Sequence, residues 1–147
     1  MKERMKDFYM TLADSCAGMS RAENLQVGAV VVKKDNILAF GWNGTPAGWD
    51  NTCEYDLHKV DEHGNHYVEK KTKPEVLHAE RNALDKLARG HETGRGASLF
   101  TTHAPCMECA KSIYNTGIKK VYYKEEYKSP DGLTFLQYCG IVTEKLK

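Results

Sequence analysis

Nowhere does the chain approach the roughly 18 consecutive apolar residues that a bilayer-spanning helix needs. Its start, MKERMKDFYMTLADSC, carries charges throughout and lacks the apolar centre of a secretory leader. These two absences predict a soluble protein of the cytoplasm with no membrane partner. Net charge is almost absent as well. The 21 Lys and Arg stand against 20 Asp and Glu, leaving +1. A protein held on a polynucleotide by many phosphate contacts is usually far more basic, so a small substrate is expected and a long nucleic acid is not. The densest basic cluster, Lys70, Lys71 and Lys73, follows Glu69 and reads as a solvated loop. An even set of cysteines is missing too. Cys16, Cys53, Cys106, Cys109 and Cys139 number five, and an odd count without a leader argues against a disulfide framework. There is no internal repeat and no low-complexity segment.

What is present fits one compact domain over residues 1–147, with 41% hydrophobic and 28% charged residues. Over residues 3–17 Met5, Phe8, Tyr9, Leu12, Ala13 and Cys16 recur at helical spacing and predict one apolar face. NLQVGAVVVKK, residues 24–34, predicts a buried strand. Asp35-Asn36 is a turn signal, and 37–42 reads as the returning strand of a hairpin. GWNGTPAGWDN, residues 41–51, is a loop by its glycines, proline and asparagines. Residues 52–74, with His58, His63 and His66, are polar and read as irregular. Beyond Pro74 the pattern predicts a helix at 79–89, a strand at 97–102 and a helix at 106–116 ended by Gly117. A strand at 119–123, a short helix at 133–139 and an edge strand at 141–143 complete it. Strands alternating with helices predict an α/β fold, a mixed sheet covered by helices.

Two short segments carry the chemistry: LHAERNA at 77–83 and APCMECA at 104–110. Cys106 and Cys109 are three apart at a predicted helix start, so both sulfurs share one face. A helix N-terminus favours the thiolate. His78, at the start of the preceding helix, offers a third ligand of a kind zinc prefers. Three protein ligands leave one position for water, as hydrolysis requires. Glu80, two residues after His78, can approach that water without ligating and serve as acid and base. H-x-E followed by P-C-x-x-C is the pattern of zinc nucleobase deaminases. A C-x-x-C alone could be a redox pair, and H-A-E alone could be a surface turn. A structural zinc would want a fourth regular ligand, and none is obvious. The two segments together, in this order, point to catalysis.

On these residues, and on SRAENLQVGAVVV, GWNGTPAG and TTHAPCMECAKSIYNTGIKKVYY, the chain resembles the deoxycytidylate (dCMP) deaminase family of the cytidine deaminase-like superfamily. The resemblance runs from about Ser20 to Tyr127. It implies a three-layer α/β/α fold around a mixed sheet of about five strands, and hydrolysis of dCMP to dUMP and ammonia. It implies His78, Cys106 and Cys109 as zinc ligands and Glu80 as proton shuttle. By the same resemblance the Ala79 N–H holds the cytosine carbonyl, Asn43 reads the sugar hydroxyl, Arg21 meets the phosphate and Tyr123 lines the pocket. Family members include hexamers activated by dCTP and inhibited by dTTP, with Mg2+ on the effector. The loop holding Gly44, Gly48 and Asn51 is where an effector would sit between subunits. Some members carry a second, structural zinc, for which Cys16, Cys53, His58, His63 and His66 are the available residues, though their spacing matches no zinc pattern. Two further functions stay open on the sequence: deamination of tRNA adenosine or polynucleotide cytosine, and a non-catalytic zinc regulator that binds nucleotides. The near-zero charge counts against the first and an intact Glu80 against the second.

Overall fold

The computed structural model describes residues 1–147 and builds four helices on two sheets. In chain order these are α1 (Glu3–Ala17), β1 (Gly28–Lys33), β2 (Asn36–Trp42), β3 (Glu54–Val60), β4 (His66–Thr72), α2 (Ala79–Ala88), β5 (Ser98–His103), α3 (Met107–Thr116), β6 (Lys120–Glu125), α4 (Asp131–Tyr138) and β7 (Val142–Lys145). The main sheet has five strands in the order β2-β1-β5-β6-β7. β1 is antiparallel to β2 and to β5, while β5, β6 and β7 run parallel. The mixed sheet is therefore an antiparallel hairpin continued by two crossovers through helices. No helix is long and apolar enough to cross a membrane.

Strand alternation sorts the core into two layers. Val30 and Val32 of β1, with Phe100 and Tyr122, face α1 and pack on Tyr9, Met10 and Ala13. Ala29 and Val31 face the other way and join Ala83, Leu84, Leu87, Ile113 and Leu136 from the three remaining helices. Ile113 and Leu136 are fully buried, and each such side chain contributes about 1.5–3 kcal/mol relative to exposure. The arrangement is the three-layer α/β/α architecture, with α1 alone on one face.

Two local devices place the helix that carries the chemistry. At Gly41 of β2 a Cβ would lie 2.7 Å from the Ala83 nitrogen and 2.8 Å from the Ala79 carbonyl, so only glycine lets α2 close onto the sheet. Gly117, at φ 85°, ends α3 in the left-handed conformation.

Three details differ from the sequence reading. The turn between β1 and β2 is centred on Lys34 and Asp35, both at positive φ, one residue earlier than Asp35-Asn36. Positive φ at both central residues matches the strand twist. β1 begins at Gly28, not at residue 24, because residues 24–27 turn aside to bond Glu54 and Asn43. Residues 52–74 are not irregular. They form the β3–β4 hairpin, paired from Glu54↔Thr72 to Val60↔His66. All of β4 is exposed, so no hydrophobic alternation marks it. The backbone ladder, the cross-strand pairs Asp56–Lys70 and Lys59–Glu69, and the Asp61 carboxylate accepting the His63 and Asn65 N–H groups at the tip hold it instead.

Candidate active site

The N-termini of α2 and α3 converge at the carboxyl end of β5. His78 is the N-cap of α2 and Cys106 the N-cap of α3. His78 Nδ1 lies 3.3 Å from Cys109 Sγ and 3.5 Å from Cys106 Sγ. The three ligand atoms are all within 4.8 Å of one another, and no other group of three His, Cys, Asp or Glu side chains comes together in this way. The Cys109 S–H and then the His78 ring draw the Cys106 thiol down to about 4. The same Cys106 sulfur, and then burial, push Cys109 well up, and Cys106 raises His78 in turn. Two sulfurs and an imidazole at this separation compete for protons. A borderline-soft dication relieves that competition, and two thiolates with one imidazole are a zinc donor set with a position to spare. The residues fit zinc.

Glu80 sits in the first turn of α2, buried to 4% exposure. Burial is the chief cause that pushes its carboxyl up, partly offset by Cys109 and His78. A carboxyl raised above its ordinary value holds its proton more readily than a free glutamate, as a group that must both take and give protons requires. Thr101 of β5, fully buried, brings its hydroxyl to 3.1 Å from Glu80 Oε1. The sequence reading missed Thr101, because a threonine inside a strand looks like a β-former and nothing more.

A cavity of about 570 Å³ opens over these groups, a size suited to a nucleotide-scale ligand. His78, Ala79, Glu80 and Cys106 are on its wall. Ala79 begins α2, where the first N–H groups lack intrahelical partners. Asn43 is on the wall too, and its side chain braces the neighbouring wall: Oδ1 accepts the Val27 N–H at 2.9 Å and Nδ2 donates to the Leu25 carbonyl at 2.7 Å. Arg21 is exposed and off the wall, although Ala22 beside it contributes. Tyr123 is half-buried on β6 and off the wall, whereas Tyr127 lines it. The two tyrosines are four positions apart, and only the course of the chain after β6 decides which one faces the cavity. Lys128 supplies the sole ammonium or guanidinium on the wall. Glu54 and His103 also line it and were not singled out by the sequence.

Gly44, Gly48 and Asn51 stand outside the cavity. Gly44 bridges Leu77, just before His78, through hydrogen bonds of 2.8 and 3.1 Å, and Gly48 and Asn51 are exposed. The residues considered for a second zinc do not assemble. Cys53 is buried against Ala22 and Val76, Cys16 packs at the α1 core, and the three histidines are exposed on the hairpin. An apolar cluster takes the place of a ligand set.

Residues 3–125 match the family described as the cytidine and deoxycytidylate deaminase zinc-binding region. The chain belongs to that family. This deaminase is 33% identical to the deoxycytidylate deaminase of Enterobacteria phage T4, over 83% of its own length and 79% of the phage protein's. Identity to the ComE operon protein 2 of Bacillus subtilis is 30%, over 95% of this chain and 70% of that one. Among solved structures, the dCMP deaminase of cyanophage S-TIM5 in complex with dCMP and dUMP is 45% identical, with a TM-score of 0.88 and 99% of both chains covered.

Proposed function

We propose that this deaminase hydrolyses dCMP to dUMP and ammonia, as a single catalytic domain in the cytoplasm. The observation that carries the reading is the buried Glu80 carboxyl on the wall of a nucleotide-sized cavity that His78 and Cys106 also line, beside the converging His78, Cys106 and Cys109. The similarity to dCMP deaminases, one of them solved with dCMP and dUMP, supports the choice of substrate.

Held by His78, Cys106 and Cys109, zinc would supply Lewis acidity that makes water a nucleophile near neutral pH. The protein's own groups do the rest. Glu80 takes a proton from the attacking water and passes it to N3 as oxygen bonds to C4. It then delivers the second water proton to the departing amine, and C4–N4 cleavage releases ammonia. Ala79 offers its free backbone N–H to the cytosine carbonyl and so aligns C4 with Glu80. Asn43 keeps one Nδ2 hydrogen and one Oδ1 lone pair for the sugar. In this reading the phosphate meets Lys128, the one ammonium on the wall, and Arg21 reaches it from outside the wall; Tyr127, whose neighbours include Cys106, Cys109 and Glu80, stands nearer the reacting groups. Tyr123, off the wall, supports the pocket from β6.

Regulation by dCTP and dTTP with Mg2+, in a hexamer, is part of the same reading. Gly44 and Gly48 have open space where a Cβ would stand; the Gly44 N–H is held by the Leu77 carbonyl, so in this reading the exposed part of the loop around Gly48, with Asn51 at its end, is what lets backbone N–H groups approach a triphosphate.

Ammonia release from dCMP, deoxycytidine and CMP, each with and without dCTP and Mg2+, tests the whole. Preference for dCMP is expected, with a rate that rises with dCTP. No release from any of them by zinc-loaded protein would overturn the assignment and favour a polynucleotide substrate.

A further inference from the structure

Glu54, Glu80, Glu125 and Glu126 line the cavity, and only Glu54 and Glu80 are buried; Glu54 has a built setting and no partner for one of its oxygens. Glu54 opens β3 and is 5% exposed. Its Oε2 accepts two backbone N–H groups, from Glu23 at 3.0 Å and Asn24 at 3.2 Å. It has no Lys, Arg or His partner: none of the ion pairs in the protein includes it. Its Oε1 makes no hydrogen bond within the protein, yet no side-chain oxygen is sealed away without a partner, so Oε1 opens to the cavity it lines. Burying a carboxylate this far is costly unless its lone pairs are used. Two are used by the backbone, and the other oxygen faces the ligand.

The surroundings restrict what that oxygen receives. It needs a donor. A phosphate dianion is excluded, because like charges in a partly desolvated site repel strongly. In the proposed function the base is held by Ala79 and Glu80. On the proposed substrate one donor is left, the single free hydroxyl of the deoxyribose.

We infer that Glu54 Oε1 accepts the hydrogen bond of the dCMP 3′-hydroxyl and is a specificity-determining residue of this deaminase; the inference rests on the dCMP reading above. A hydroxyl also accepts, and the spare Nδ2 hydrogen of Asn43 is the donor on the same wall. The inference gives the β3–β4 hairpin a purpose. The hairpin supplies Glu54 and its register partner Thr72, both on the wall, and the Asn24 side chain ties the 23–24 segment to the Lys70 carbonyl at 2.9 Å.

The test compares dCMP with 2′,3′-dideoxycytidine 5′-monophosphate in the zinc-loaded wild type, Glu54→Gln and Glu54→Ala. The wild type is expected to turn over the dideoxy nucleotide with a kcat/KM about 10- to 100-fold lower. Glu54→Ala is expected to bring the two substrates to near equality by losing dCMP activity alone. Glu54→Gln keeps an oxygen for the Glu23 and Asn24 N–H groups, so it folds as the wild type does, and it is expected to narrow the ratio. A merely structural Glu54 would lower both substrates together and leave the ratio intact. Equal handling by the wild type, or an unchanged ratio in Glu54→Gln, overturns the inference alone. No ammonia from dCMP in the wild type overturns the dCMP reading, and the inference with it.

Discussion

Thr101 Oγ1 lies 3.1 Å from Glu80 Oε1 and 2.9 Å from the His103 carbonyl oxygen, so one hydroxyl hydrogen faces two acceptors. When Glu80 is ionised the hydrogen goes to the carboxylate. When Glu80 is protonated the carboxyl donates to Thr101, and Thr101 donates to His103. The hydroxyl thus satisfies both states of a residue that must alternate between them. Thr101→Val removes it with little change in shape. The expected result is a kcat about tenfold lower, with KM and zinc content near wild type, since a net hydrogen bond to a charged group is worth about 1.5–3 kcal/mol. A kcat equal to wild type in steady-state ammonia assays would show that Thr101 only fills space.

Glu80→Ala is expected to keep zinc, because Glu80 is not among the three converging ligands. Turnover should fall by about 10²–10⁴ or more, the range associated with losing a positioned acid and base. Metal analysis and single-turnover ammonia release on the same sample separate the two effects.

The phosphate assignment has two competing cations. Lys128 lines the cavity, and Arg21 stands exposed outside it. Lys128→Ala should raise KM for dCMP about tenfold and leave deoxycytidine almost unchanged, because the lost partner is charged only in the nucleotide. Arg21→Ala should act in the same sense and more weakly. Equal losses on both substrates in either variant would remove that residue from the phosphate end.

A pH effect on stability is expected far from the active site. Lys6 is buried, donates to Glu144 at 2.8 Å and raises its own pKa by that bond, and Lys120 adds a 3.3 Å contact to the same carboxylate. The Lys6 bond, as the leading cause, holds Glu144 below the usual carboxylate range. Its stabilisation is therefore complete above the ordinary glutamate value of about 4.3 and is lost as pH falls through the lower folded-state value. The raised Lys6 contributes in full below its ordinary value and loses its share only as pH rises past it, well above neutrality. Glu144→Gln should flatten the acid side of the melting-temperature profile and leave the shape near pH 7 unchanged. A profile parallel to wild type down to pH 3 would contradict this.

The sequence by itself determined the elements of the main sheet and the reacting groups. Val30 to Val32 and Leu99 to Thr101 are buried runs whose character follows from composition. His78, Glu80, Cys106 and Cys109 sit at helix starts where spacing alone puts them on common faces. Such features depend on a few adjacent residues, so they are written locally. Only the tertiary structure decided the rest. The β3–β4 hairpin has no apolar alternation and exists through cross-strand pairs. Tyr127 and not Tyr123 reaches the cavity, Lys128 lines it while Arg21 stands exposed outside the lining, and Cys53 packs in an apolar cluster with Ala22 and Val76. Glu54 and Thr101 acquire their roles from partners 21 to 31 residues away in the chain. Contacts across that distance are set by how sheet and helices close on one another, and no local pattern of residues records them.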